Sequence, residues 1–287
     1  MTEREWLNCA DPLAMMAFLR KGRPAFRTRW LGWITRPMVQ VSERKWRLFY
    51  CACCARIAHL LPADEARRLI TVAELYADGR ASEEELQTGV NASMAACDAA
   101  RHQWDRSFVA ADDDEVSLIG WELGLLEGRS GVGSAHHAVL AISRFHREGE
   151  SSRSLALQCA ARASAFASAY ALRMRRCSSP SPPPHEAPDW LSENAAETAR
   201  QAELLREVIG NPFLRTVVDA AWLDWNGGTV RRLAQGIYEE KRWKEMLILA
   251  DALEDAGCAD DAFLSHCRGP GQHVRGCWAL DRLLGKE

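Results

Sequence analysis

Ser42-Glu43-Arg44-Lys45-Trp46-Arg47-Leu48-Phe49-Tyr50-Cys51-Ala52-Cys53-Cys54-Ala55-Arg56-Ile57-Ala58-His59-Leu60-Leu61 is the stretch on which the fold reading turns. Leu48, Cys51, Ala55, Ala58 and His59 recur at the three-to-four-residue spacing that places side chains near one helical face. Ser42 opens this segment and Pro62 breaks it. Cys51 and Cys54 stand three apart, which makes them neighbours on the helix surface.

The same pattern continues outward. Downstream, 63–78 reads as a helix with Leu69, Val72, Ala73 and Tyr76 apolar, and Gly79 as its C′ residue. Ser82 with Glu85 forms a capping box for a helix running to about Trp104. Upstream, Thr2 caps a short helix carrying Trp6, and Asp11-Pro12 opens a second that ends near Gly22. Residues 22–41 break the pattern at Pro24, Gly32 and Pro37. There Arg23, Arg27, Arg29 and Arg36 interleave with Trp30 and Trp33, a mixture that suits a nucleic-acid strand. The net charge of −3 argues against that partner and for a surface loop. The acidic run 112–115 reads as a solvated loop rather than a cation site.

Residues 151–176 read as a long Ala-rich helix. Five of the eleven prolines then fall in 178–188, an extended linker. Beyond it, helices are expected over 192–209, 230–240 (capped by Thr229 after a turn at Asn226-Gly227-Gly228), 243–254, a short segment ending at Cys267, and 273–284. Few segments alternate at period two. The chain is therefore read as all-α, an irregular multi-helix fold with about two-thirds of its residues helical. Three regions follow: an N-terminal helical region 1–177, the linker 178–188, and a C-terminal helical region 189–287 packed on the first. One echo, Ala73-Glu74 to Gly79 against Ala250-Asp251 to Gly257, is ordinary helix–turn–helix grammar, since a solenoid needs three repeats.

The 287 residues are 47% hydrophobic and 26% charged, which suits a globular protein with a full core. No apolar run is long enough to span a membrane, and Met1 to Trp6 lacks a signal peptide's apolar core. A cytoplasmic location follows as the expectation. In a reducing compartment the ten cysteines are not read as disulfides.

Chemistry concentrates near the C-terminus, where Cys258, His266, Cys267, His273 and Cys277 surround the turn Gly269-Pro270-Gly271. Read as a metal site, His273 and Cys277 would share one helical side, with His266 or Cys267 reaching them across the turn. Cys258, or Cys51 and Cys54, would complete a tetrahedral zinc set. Read as packing, the thiols are small buried apolar groups. Read as a nucleophile, Cys267 gains from its cationic neighbour Arg268, with His273 as base. No phosphate loop, dinucleotide fingerprint, nucleophile elbow or zincin motif is present, which disfavours an enzyme using a common cofactor. The reading preferred from sequence is a non-catalytic helical interaction or scaffold module with an unidentified protein partner, without membrane or cofactor. Eleven tryptophans, among them Trp222 and Trp225 in an expected loop, support it. The Cys51–Cys54 helix is expected to pack on the C-terminal segment.

Several signatures resemble a large, uncharacterised family of bacterial proteins. They are Glu5-Trp6-Leu7 with Cys9 and Asp11-Pro12, Leu48-Phe49 with Cys51 to Cys54, Gly210-Asn211-Pro212-Phe213, Ile248 to Cys258, and His266 to Trp278. The resemblance covers both ends of the chain and implies no activity and no catalytic residue. Against that family pattern, 22–41 looks like an insertion.

Overall fold

The computed structural model describes residues 1–20, 41–61, 63–109, 190–214 and 216–286. The expected loop at 22–41 apart from Val41, the acidic run 112–115, the helix 151–176 and the linker 178–188 lie outside them. The described residues are 75% helical and contain no strand, so the fold is all-α. Their helices are α1 (Glu3–Asn8), α2 (Pro12–Arg20), α3 (Glu43–Arg56), α4 (Asp64–Ala77) and α5 (Glu83–Val109). Then come α6 (Trp190–Ile209), α7 (Ala220–Glu240), α8 (Met246–Asp255), α9 (Asp261–Arg268) and α10 (Trp278–Leu284).

The helix boundaries follow from local chemistry. Thr2 accepts from the Glu5 amide while Glu5 reaches back to the Thr2 amide, the reciprocal capping box. Ser82 and Glu85 repeat it at α5. Asp219 and Asp260 cap α7 and α9 through their carboxylates. Within α7, Asn226, Gly227 and Gly228 take positive φ and break the helix at the turn expected there. Two boundaries differ most from expectation: α7 begins at Ala220, ahead of the expected start at 230, and the last helix begins at Trp278, not at His273. Gly276 at φ +90° is the physical reason for the second, since a left-handed residue cannot continue a right-handed helix.

The chain forms two compact units, and their division runs through α3 and α6. One comprises Met1–Phe49 with Ala202–Glu287; the other is Tyr50–Gln201. The first unit has a core of Val230, Ala234 and Ile237 from α7, Leu249 and Leu253 from α8, Phe263 from α9, and Leu280 and Leu283 from α10. Each such large apolar side chain contributes about 1.5–3 kcal/mol when fully buried. Trp6, Met15 and Met16 are buried on the N-terminal helices of the same unit. Arg206 of α6 holds that entry by donating to the carbonyls of Trp6 and Cys9.

The first turns of α3 pack on the C-terminal segment, where Arg44 and Lys45 meet the fully buried Asp281. In the second unit α4 packs on α5, with Gly89 admitting the Leu69 side chain. There Arg56 grips the buried Glu197 through a forked contact at 3.0 and 3.1 Å. No described helix is long and apolar enough to cross a membrane.

Candidate metal centre

Four side chains from three stretches of the first unit converge: Glu207 near the end of α6, His266 in the last turn of α9, and His273 and Cys277 from the loop before α10. One ligand atom from each lies within 4.8 Å of every other. His266 Nε2 is 3.1 Å from Cys277 Sγ and 3.5 Å from Glu207 Oε2. His273 Nδ1 is 3.1 Å from Glu207 Oε1. Glu207, His273 and Cys277 are buried, and His266 is half-buried.

Backbone features the sequence dictates bring these segments together. Gly210, just after α6, has φ +78°, and a Cβ there would stand 3.0 Å from the Trp278 ring. Gly276, just before Cys277, would put a Cβ 2.9 Å from Leu48. Only glycine meets both demands, a positive φ and so close an approach. Trp278 then packs against Phe263, with ring centroids 5.0 Å apart, and its indole N–H donates to His266 Nδ1 at 3.1 Å.

Electrostatics distinguish this group from plain packing. Burial acts to raise the Glu207 carboxyl, but the His273 hydrogen bond and the charges of both imidazoles more than offset it and hold it below its ordinary value. Burial pushes His266 down, against the pull of Glu207. Burial, with the Glu207 charge beside it, drives the Cys277 thiol well above its ordinary range. At neutral pH the metal-free group is thus a charged carboxylate, a protonated thiol and imidazoles whose charge is not permanent. No Lys or Arg among the described residues pairs with Glu207. A buried carboxylate without a permanent cation is costly unless something supplies the charge.

A divalent ion fits that need. With zinc–nitrogen and zinc–oxygen bonds near 2.0–2.1 Å and zinc–sulfur near 2.3 Å, tetrahedral neighbours stand about 3.3–3.6 Å apart. The 3.1 Å contacts need a small expansion to reach that spacing, and the 3.5 Å contact already has it. Zinc with one thiolate and one carboxylate also leaves no net charge in the buried site, and a coordinated thiol gives up its proton. His266 carries one further requirement. The indole N–H can only donate, so with it on Nδ1 a neutral ring holds its hydrogen on Nε2. Coordination through Nε2 moves that hydrogen to Nδ1 and requires the indole to withdraw.

Of the residues singled out from sequence, His266, His273 and Cys277 belong to the group. Cys267 turns into the apolar core of the first unit, and Cys258 is buried there too. Burial, with Glu207 and Cys258 nearby, pushes the Cys267 thiol up to about 12, which works against a thiolate nucleophile. Cys51 and Cys54 are buried in the second unit. Trp222 and Trp225 are half-buried against the core rather than displayed in a loop. Glu207 has no sequence motif of its own. Its one signal is a carboxylate inside Leu204-Leu205-Arg206-Glu207-Val208-Ile209, where Leu204, Leu205, Val208 and Ile209 are buried.

Comparison with family models, with curated proteins and with solved structures returns no match. The reading of the site therefore rests on its own geometry and charge.

Proposed function

We propose that the protein is a non-catalytic helical module whose C-terminal segment is fastened to α6 by a structural zinc ion. Glu207, His266, His273 and Cys277 are the ligands. The observation that carries this reading is the buried Glu207, ringed by two imidazoles and a thiol, with no permanent cation beside it among the described residues. Mixed nitrogen, sulfur and oxygen donors suit zinc better than magnesium or calcium, which take all-oxygen shells. Four protein donors leave no open coordination position, which is the mark of a structural rather than a catalytic zinc.

Elemental analysis of the purified full chain tests this directly. The expected result is one zinc per chain, lost on chelation and regained on adding zinc alone. Thiol counting under denaturation before and after chelation separates zinc loss from cysteine oxidation. A chain that neither carries zinc nor takes it up after thiol reduction would refute the proposal.

A further inference from the structure

We infer that Lys45 is a positioning residue for this metal group, an inference that rests on the zinc reading above. Lys45 is buried on the first turn of α3 and is not one of the four donors. Its ammonium donates to the Val208 carbonyl at 2.9 Å and to the Gly276 carbonyl at 3.1 Å. It also lies 2.7 Å from Asp281 Oδ2. An ammonium has three N–H donors, and these are three acceptors. Lys45 is thus held from three directions at once.

The two carbonyls matter because of their neighbours. Val208 follows Glu207 directly, and Gly276 precedes Cys277 directly. One ammonium therefore fixes the peptide units beside two of the four donors, on segments far apart in sequence. The Val208 carbonyl is available because residue 212 is proline: the amide that would continue the helical ladder is missing. The Gly276 carbonyl lies in a loop that takes a left-handed turn at the same residue. Lys45 satisfies both carbonyls and so keeps Glu207 and Cys277 at binding separation before a metal arrives.

Arg44 supplies the control. It shares Asp281, at 2.7 and 3.0 Å, and it also donates to the Tyr238 hydroxyl and the Lys286 carbonyl. None of these adjoins a donor residue. A role confined to stabilising the C-terminal segment would make Arg44 and Lys45 equivalent toward the metal; a positioning role separates them.

The experiment compares Lys45→Met and Arg44→Met in the full chain, with zinc affinity read by chelator competition. Cobalt(II) serves as spectroscopic probe through its thiolate charge-transfer band. Lys45→Met is expected to weaken zinc binding roughly 10- to 100-fold, the usual size for loss of a residue supporting the ligands, and to shift or weaken the cobalt band. Arg44→Met is expected to leave both within about threefold, even where it costs as much stability in urea. If Lys45→Met does not fold, Lys45→Arg takes its place, keeping the charge on Asp281 while moving the donors off the carbonyls. Equal losses in the two positions, or an unchanged affinity and cobalt band at position 45, would overturn the positioning role and leave the zinc site standing. A wild-type chain that binds neither metal would overturn the zinc reading, and this inference with it.

Discussion

Glu197 and Glu207 both lie on α6, both are buried, and each belongs to a different unit of the fold. Glu197 meets Arg56, whose guanidinium is charged at every accessible pH and matches the carboxylate fork to fork. Glu207 meets His266, His273 and Cys277, none of which is a permanent cation. The same residue type on the same helix is thus a finished ion pair in one place and an open charge requirement in the other. Burial alone does not mark a metal site. The chemistry of the partners does.

The largest expected effect lies on the finished side. Removing Arg56 leaves the buried Glu197 only the longer 3.7 Å contact with Arg200, so Arg56→Met should approach the cost of about 3–5 kcal/mol that a stranded buried charge carries in urea unfolding. That loss should be the same with and without chelator. A chelator-dependent loss at Arg56 would erase the distinction between the two glutamates.

Next comes the open side. With free zinc about 100-fold above its dissociation constant, the ion adds ~2.7 kcal/mol to wild-type stability. Glu207→Gln should lose most of that gain. In chelator the same change keeps the side-chain shape but removes a carboxylate whose ionised form the fold favours, so it should cost less, about 1 kcal/mol. The size of the effect therefore depends on metal, as no substitution at Arg56 should do. A Glu207→Gln chain as destabilised in chelator as in zinc would show that the carboxylate serves packing alone.

A smaller effect is the pH dependence of the metal-free protein. Burial lowers His266 from its ordinary value of 6.5. As pH falls through that value the unfolded chain takes up a proton that the folded ring refuses, so stability falls. Glu207 is also lowered, from 4.5. Its contribution is present above 4.5 and is lost as pH drops toward its folded value, again reducing stability on acidification. Urea titrations in chelator between pH 7 and pH 4 should show both arms. Glu207→Gln should remove the lower arm and keep the upper. Stability that rises on acidification would reverse the assigned shifts.

The sequence carried the helices well because their signals are local. Capping residues at Thr2 and Ser82 and the turn at 226–228 act within a few residues of themselves. It carried three of the four candidate ligands, since His266, His273 and Cys277 crowd one segment. The fourth, Glu207, becomes a ligand candidate only when α6 folds against that segment, which no spacing rule reports. Cys267 was indistinguishable from His266 in sequence; the turn of α9 sends one into the core and the other to the donors. The helix expected from His273 failed at Gly276, where contact with Leu48 and the positive φ decide the backbone. Those are tertiary facts, as is the Lys45 bridge between Val208 and Gly276.

The smallest effect concerns the one ligand whose hydrogen stands in the wrong place. Trp278 donates to His266 Nδ1 at 3.1 Å, which assigns the ring hydrogen to Nε2, the atom facing Cys277 and Glu207. Zinc on Nε2 requires that hydrogen on Nδ1, where it would face the indole N–H, donor against donor. Binding must therefore break this hydrogen bond, whose net worth is about 0.5–1.5 kcal/mol. Trp278→Phe keeps a ring against Gly210 and Phe263 but has no N–H to displace. It should therefore bind zinc more tightly than wild type, by roughly two- to tenfold, although it deletes a residue in direct contact with the site. Chelator competition at fixed pH measures this. A weaker zinc affinity in Trp278→Phe would mean that the indole supports the imidazole in the bound state, and the tautomer argument would fall.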